Sequence, residues 1–77
     1  MEINLLAFGQ IADITGKSAW KMFGIKDTNA LMKNLEEQFP ALVKMKYSIA
    51  VNKKVIQENT TINEADTIAL LPPFSGG

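Results

Sequence analysis

Two segments of the chain, Glu2–Phe8 and Thr67–Leu71, are largely apolar. Side chains of a strand alternate between its two faces, so a run that is apolar on both faces is typical of the middle of a sheet. We therefore expect both segments to be central strands. A weaker alternation over Lys17–Ile25 predicts an edge strand, whose lysines discourage pairing with other chains. Further strands are predicted over Tyr47–Asn52 and, as a short return strand, at Val55–Ile56.

Between these strands, the period of the apolar positions changes to that of a helix over Thr28–Phe39. Asp27 or Thr28 can cap its N-terminus, and Pro40 ends it because proline disfavours helical backbone in the residue before it. Lys33, Asn34, Glu36 and Glu37 are expected to face solvent. The buried stripe of this helix is formed by Leu31, Leu35 and Phe39, with Met32 beside them.

The remaining segments are predicted to be connections. Gly9–Gly16 is a short connector with room for one helical turn, and its last glycine suits a left-handed helix end. Ala41–Lys46 reads as an irregular connection with room for a single turn, and Gln57–Thr61 reads as a polar loop. Asn52–Lys54 can form a tight turn because asparagine tolerates positive φ. Ile62–Asp66 reads as a turn anchored to the core by its isoleucine.

The predicted order is strand, strand, helix, strand, short strand, strand. Two central strands from opposite ends of the chain would lie parallel, with one main helix across one face of a mixed sheet. This is an α+β fold of the β-grasp, ubiquitin-like type. We expect residues 1–73 to form the domain and residues 74–77 to form a flexible Gly-Gly tail. The side chains expected beneath the helix are Ile3, Leu5, Ile68 and Leu70, with Tyr47 or Ile49 and Val51 nearby.

The face of the sheet away from the helix would then carry exposed apolar side chains. These are Leu6, Phe8, Ala69 and Leu71. Apolar patches on small domains usually mark a surface that binds another protein. The alternative is that loops of the same chain cover the patch. Of the two interpretations, the sequence favours binding to another protein.

The chain ends in an apolar strand, two prolines and a short segment with two glycines. Pro72 and Pro73 should stop strand pairing, because proline has no N–H group for a sheet ladder. The four residues from Phe74 to Gly77 can extend at most roughly 13–14 Å. Gly76 and Gly77 have no side chains, so they can pass through a channel too narrow for other residues. This pattern indicates a terminus presented to another protein; a frayed end or a cloning remnant is the alternative.

A terminal carboxylate on Gly77 would be ionised at neutral pH, since its pKa is about 3.3–3.7, and it would be a poor electrophile. To accept a nucleophile it must first be activated by a separate enzyme, for example as an acyl-adenylate. Ser75 has no histidine in the chain to activate it as a nucleophile. The chain itself is therefore not expected to be an enzyme.

Composition narrows the classes of function further. The 77 residues contain no cysteine, histidine or arginine, and eight lysines balance eight acids. We therefore expect no disulfide, no metal site and no strongly basic surface for nucleic acid. The apolar runs are far shorter than a membrane span, and the start of the chain does not resemble a signal peptide. These features predict a soluble, cytoplasmic protein.

With the fold and the tail in view, the sequence resembles the small subunits of molybdopterin synthase, which are sulfur carriers of the ubiquitin-like superfamily. The densest similarity runs over Asp66–Gly77, which combines an acid, an apolar strand, Pro-Pro, a hydrophobic residue, a small hydroxyl residue and Gly-Gly. Ala50-Val51-Asn52, Phe8 and the Asp13…Gly16 spacing support it. The Pro-Pro pair is specific, whereas Gly-Gly alone is shared with ubiquitin and with the thiamine-pathway carrier.

This resemblance implies a mechanism centred on Gly77. An ATP-dependent adenylyltransferase would adenylate it, a sulfur donor would convert it to a thiocarboxylate, and the tail would enter the large synthase subunit to supply dithiolene sulfurs of molybdopterin. The large subunit would hold the catalytic residues, in an assembly of two small and two large subunits. This chain would bind no cofactor, since ATP is used by the activating enzyme. We expect the partner-binding residues to be Leu6, Phe8, Ala69, Leu71, Pro72, Pro73, Phe74 and Ser75, with Gly76 and Gly77 carrying the chemistry.

The sequence departs from the family pattern at three places. Ala12 stands where arginine is usual, Ala65 replaces the glycine of an acid-Gly-Asp turn, and Phe74 replaces valine. The first change puts in doubt any polar contact that the arginine makes with a partner. Three alternative functions stay open at this point: a ubiquitin-like modifier conjugated through Gly77, the sulfur carrier of thiamine synthesis, and an interaction domain with an inert tail.

Overall fold

The computed structural model describes residues 1–73, which form a five-stranded mixed sheet with helices packed on one face. The strands are β1 (Glu2–Ala7), β2 (Ala19–Phe23), β3 (Ser48–Val51), β4 (Lys54–Ile56) and β5 (Thr67–Leu71). Their spatial order is β2-β1-β5-β3-β4. β1 and β5 lie parallel in the middle of the sheet, and the other neighbouring strands are antiparallel. The β-grasp prediction is confirmed.

The inner face of the sheet forms the floor of the hydrophobic core. Leu5 is paired with Ile68 and Ala7 with Leu70, so the two central strands present their buried side chains side by side. Ile3, Leu5, Ile68 and Leu70 are each 0% exposed, as predicted. Burial of each such side chain stabilises the fold by about 1.5–3 kcal/mol. Ile49 is also buried, and Tyr47 and Val51 are half-buried against this core.

Two helices and a 3-10 helix cover this inner face. They are α1 (Gly9–Thr15), α2 (Thr28–Gln38) and the 3-10 helix (Pro40–Lys44). Each contributes fully buried side chains to the same core: Ile11, Leu31, Leu35 and Leu42. The prediction of one main helix on one face is therefore confirmed, and the smaller helices join it there.

The first connector forms a longer helix than the single turn expected from its sequence. α1 has seven residues, and isolated helices of that length are unstable in water. Burial of Ile11 supplies the missing stability. Gly16 ends the helix at φ +76°, as predicted, and its N–H donates to the carbonyl of Ala12 at 2.8 Å. Because α1 begins at Gly9, β1 ends at Ala7 and Phe8 becomes the N-cap residue.

The N-terminus of α2 is capped from two parts of the chain. The Asp27 carboxylate accepts a hydrogen bond from Ala30 N–H at 2.8 Å, which confirms the predicted cap. The Asn59 side-chain oxygen accepts a hydrogen bond from Asn29 N–H at 2.9 Å. The sequence suggested only a polar loop around Asn59. Its capping role could not be read from local pattern because the two asparagines are thirty residues apart.

Several predicted boundaries are wrong by one or two residues. The edge strand is shorter than Lys17–Ile25, because Ile25 turns into the core instead of extending the strand. α2 ends at Gln38, and the connection after it, expected to be irregular or to hold a single turn, forms the 3-10 helix, whose Leu42 is buried. Lys54 belongs to β4 rather than to the preceding turn.

Ala65 is held in a left-handed conformation, at φ +68°. Its N–H donates to the carbonyl of Glu2 at 2.7 Å, which fixes the turn before β5. A β-carbon makes this conformation costly, by about 1–2 kcal/mol, and glycine removes that cost.

We expect Ala65→Gly to raise the free energy of unfolding by about 1 kcal/mol, because the native backbone suits glycine better than alanine. In a domain of this size, that change corresponds to a rise in Tm of roughly 4–8 °C, measurable by thermal unfolding. Ala30→Gly, inside α2, is the matched control and should lower the free energy of unfolding by about 1 kcal/mol. A loss of stability in both variants would contradict the strain at Ala65.

Candidate partner-binding groove

The outer face of the sheet, away from the helices, carries an unbroken row of apolar side chains. Leu6 pairs with Ala69, Ala69 with Ala50, and Ala50 with Val55. On the other side of Leu6, Ala19 of the edge strand continues the row. Each strand of the sheet thus contributes one apolar residue to the same line, and no described helix covers it.

Four residues of this row, Leu6, Ala69, Ala50 and Val55, form the floor of a groove of about 530 Å³. The groove contains four of the predicted partner-binding residues, and they lie together: Leu6, Phe8, Ala69 and Leu71. It also extends further than the sequence suggested, toward β4 and the β3–β4 turn. The added lining residues are Ala50, Asn52, Lys53, Val55 and Thr67.

Phe8 reaches the groove because of the way β1 ends. Its backbone is extended, with φ −123° and ψ 153°, and its N–H donates to the carbonyl of Leu70 at 3.3 Å. The alternation of β1 therefore continues for one more residue, and Phe8 falls on the same face as Leu6. Its side chain is 47% exposed. A large aromatic side chain exposed beside an apolar groove is the kind of residue that dominates binding at protein interfaces.

The chain leaves the sheet next to this aromatic side chain. Leu71 pairs with Ser48 as the last residue of β5, Pro72 is half-buried, and Pro73 is exposed. A β-carbon at Gly9 would lie only 3.1 Å from Pro72 Cγ, so glycine permits the close approach of the two segments. Gly9 also has φ +55°, which glycine adopts without strain. The exit of the chain is therefore fixed beside Phe8.

The remaining predicted site residues lie outside the described part of the chain. These are Phe74, Ser75, Gly76 and Gly77. Their roles stay predictions.

A hydrogen-bond network closes the opposite end of the groove, at the β3–β4 turn. Asn52 N–H donates to the carbonyl of Thr67 at 2.8 Å, and Thr67 N–H donates to the Asn52 side-chain oxygen at 3.0 Å. The Asn52 amide donates to Asp66 at 2.9 Å, and Asn63 N–H donates to the other Asp66 oxygen at 2.8 Å. The hydrogen bond from Asn63, with that from Asn52, holds the pKa of Asp66 below its usual range.

A second, more open groove of about 520 Å³ lies beside Pro73. Its other lining residues are Gln10, Ala41, Lys44, Met45 and Lys46. Among residues 1–73, no group of three or more acidic side chains is arranged to hold a metal ion. Over the same residues, no helix has the length and hydrophobicity to cross a membrane.

The family model that matches this chain is that of the ThiS family, and the match covers residues 5–77. The chain belongs to the ThiS family. Two curated relatives of this ThiS-family chain are molybdopterin synthase sulfur carrier subunits. The one from Arabidopsis thaliana is 27% identical, with 100% of this chain and 84% of the relative covered. The one from Aedes aegypti is 26% identical, with 100% and 90% covered.

Solved structures agree with the fold of this ThiS-family chain. The putative molybdopterin converting factor subunit 1 from Pyrococcus furiosus has a TM-score of 0.86 at 12% identity, covering 96% of this chain and 99% of that chain. SAMP1 from Haloferax volcanii has a TM-score of 0.78 at 19% identity, with both chains fully covered. At these identities the likeness shows the fold alone.

A third solved structure is more similar in sequence. It is a complex of subunits 1 and 2 of the molybdopterin-converting factor from Helicobacter pylori, matched with a TM-score of 0.75, 26% identity and 100% coverage of both chains. Together with the curated relatives, it confirms the resemblance to molybdopterin synthase sulfur carrier subunits.

Proposed function

We propose that this chain is the sulfur carrier subunit of a molybdopterin synthase and that Gly77 is the residue that carries the sulfur. The observation behind this proposal is the position of β5. This strand lies in the centre of the sheet and ends beside an exposed aromatic residue and an apolar groove. A rigid central strand that leads directly to Pro72 and Pro73 suits a domain that delivers its last residues to a partner.

In the proposed reaction, the Gly77 carboxylate attacks the α-phosphate of ATP on a separate adenylyltransferase, and pyrophosphate leaves. The acyl-adenylate is an activated electrophile, so sulfide-level sulfur from a donor attacks the acyl carbon, the C–O bond to AMP breaks, and a thiocarboxylate remains. Thiocarboxylate sulfur is softer and more nucleophilic than carboxylate oxygen. The tail then carries this sulfur to the precursor of molybdopterin, and the thiocarboxylate sulfur forms a new C–S bond to a carbon of the precursor. Water then cleaves the bond between the Gly77 acyl carbon and the sulfur, so the sulfur stays on the product as one of the two dithiolene sulfurs and Gly77 returns to a carboxylate.

The groove supplies the docking step in this scheme. Leu6, Phe8, Ala69 and Leu71 form an apolar surface that the large synthase subunit would cover, with Pro72 and Pro73 directing the tail into that subunit. The solved complex of subunits 1 and 2 from Helicobacter pylori supports such a partner. We propose two small and two large subunits in the assembly. The large subunit would supply the catalytic residues, because this chain has neither histidine nor cysteine.

Intact-mass spectrometry tests the proposed chemistry. After incubation with the adenylyltransferase, ATP and a sulfur donor, we expect the mass of the chain to rise by the difference between one sulfur and one oxygen. The change should map to Gly77 after proteolysis, and ATP should be required. Isopeptide adducts on lysines of other proteins would instead indicate a modifier. Sulfur transfer to a thiamine precursor, without binding to the large synthase subunit, would indicate the thiamine pathway.

A further inference from the structure

The β3–β4 turn holds a lysine in a backbone conformation that lysine rarely adopts. Asn52 lies at φ +50° and Lys53 at φ +74°, and these two residues connect the strands. Two-residue hairpin turns with positive φ at both positions favour Asn-Gly, since glycine adopts the second position without strain. Lysine there costs about 1 kcal/mol relative to glycine. The turn is therefore less stable with lysine at position 53 than it would be with glycine.

The hydrogen bonds around the turn fix where this lysine is presented. Asn52 is joined to Thr67 by two hydrogen bonds and to Asp66 by a third. The base of the hairpin is thus attached to the start of β5, in the centre of the sheet. Such a turn does not move as a free loop, and Lys53 is held at the rim of the apolar groove, beside Val55.

Within residues 1–73, Lys53 forms no ion pair. Asp66 belongs to the hydrogen-bond network at the base of this turn, but its two carboxylate oxygens accept hydrogen bonds from Asn52 and Asn63 and not from Lys53. The groove therefore has an apolar floor and an unpaired cation at one end. When a partner covers the apolar floor and excludes water, the attraction between the Lys53 ammonium group and a carboxylate of the partner becomes stronger. A positively charged group of a partner at the same place would be repelled.

We propose that Lys53 is a specificity-determining contact of the docking surface and that its ammonium group pairs with a carboxylate of the large synthase subunit. The inference rests on the proposed function, since it names the partner of the same groove. Backbone strain at functional residues is a known pattern, and here the strained residue lines the groove. The competing explanation is that lysine only protects β4, which is an edge strand, from pairing with other chains.

Lys53→Gly separates these explanations because it should change stability and affinity in opposite directions. We expect its Tm to rise by a few degrees as the turn becomes Asn-Gly. We expect its Kd for the purified cognate large subunit, measured by isothermal titration calorimetry at low salt, to rise about fivefold. Lys53→Glu should raise the Kd by about tenfold or more. The affinity of the wild-type chain should fall with added salt more steeply than that of either variant.

Lys33→Glu is the matched control, because Lys33 is exposed on α2, across the molecule from the groove. It should leave the Kd unchanged within about twofold. An unchanged Kd in both Lys53 variants would overturn the inference while leaving the proposed function intact. A lower Tm in Lys53→Gly would overturn the argument from strain. If the wild-type chain does not bind the large subunit at all, both proposals fail.

Discussion

Deletion of Gly77 is expected to abolish sulfur transfer and to leave the stability of the domain unchanged. The acyl carbon of Gly77 is the proposed site of adenylation, and a chain that ends at Gly76 is shorter by one residue, up to roughly 3.3–3.6 Å. A shift of that size at a reacting atom removes it from the geometry that catalysis needs. Formation of molybdopterin from its precursor, with the large subunit present and at least two carrier chains supplied per precursor molecule, measures the loss.

The same deletion should not alter folding or docking. The side chains that are fully buried lie between Ile3 and Leu70, so the core is complete without the last residue. We expect a Tm within about 1 °C of wild type and a Kd for the large subunit within about threefold, since the groove is unchanged. Retained sulfur transfer would remove Gly77 from the mechanism. A loss of binding as large as the loss of transfer would mean that the residue acts in docking.

The centre of the fold could be predicted because its signal is local and strong. Glu2–Phe8 and Thr67–Leu71 are apolar on both faces, and a segment of that kind has no stable position at the edge of a sheet. Their parallel pairing then followed from the need of both strands for the middle position. The outer-face residues Leu6 and Ala69 could be predicted by the same alternation, because one face of the sheet is taken up by the helices.

The parts that the sequence did not reveal depend on contacts between distant residues. α1 is stabilised by Ile11 in the core, and Asn59 caps α2 from another loop. The extension of the groove to Val55 depends on its register with Ala50, which a three-residue strand does not specify by itself. The positive φ of Lys53 was likewise hidden, because the tolerance of Asn52 for such a conformation says nothing about the residue that follows it.

Phe8→Asp is expected to weaken binding to the large subunit by about 30-fold or more. An exposed aromatic side chain beside an apolar groove has the properties of a binding hot spot, where truncation costs 2 kcal/mol or more. The substitution suits the fold unusually well, since Phe8 is the N-cap residue of α1 and makes no side-chain capping hydrogen bond. Aspartate is among the preferred N-cap residues. The stability gained from its capping hydrogen bond should offset the stability lost with the apolar contacts of Phe8, so the free energy of unfolding should change by no more than about 1 kcal/mol.

Phe23→Asp provides the matched control on the same face of the sheet. Phe23 is 67% exposed and pairs with Glu2 at the start of β1, whereas Phe8 follows the end of that strand. Six residues of strand separate the two ends by roughly 20 Å. If the groove is the docking surface, calorimetry should show a large loss of affinity for Phe8→Asp and little change for Phe23→Asp.

Leu71→Asp should also weaken binding, but Leu71 is half-buried in β5, so its loss of affinity includes a loss of stability. Equal affinities for wild type and Phe8→Asp would show that the partner binds elsewhere and that the apolar row has another role.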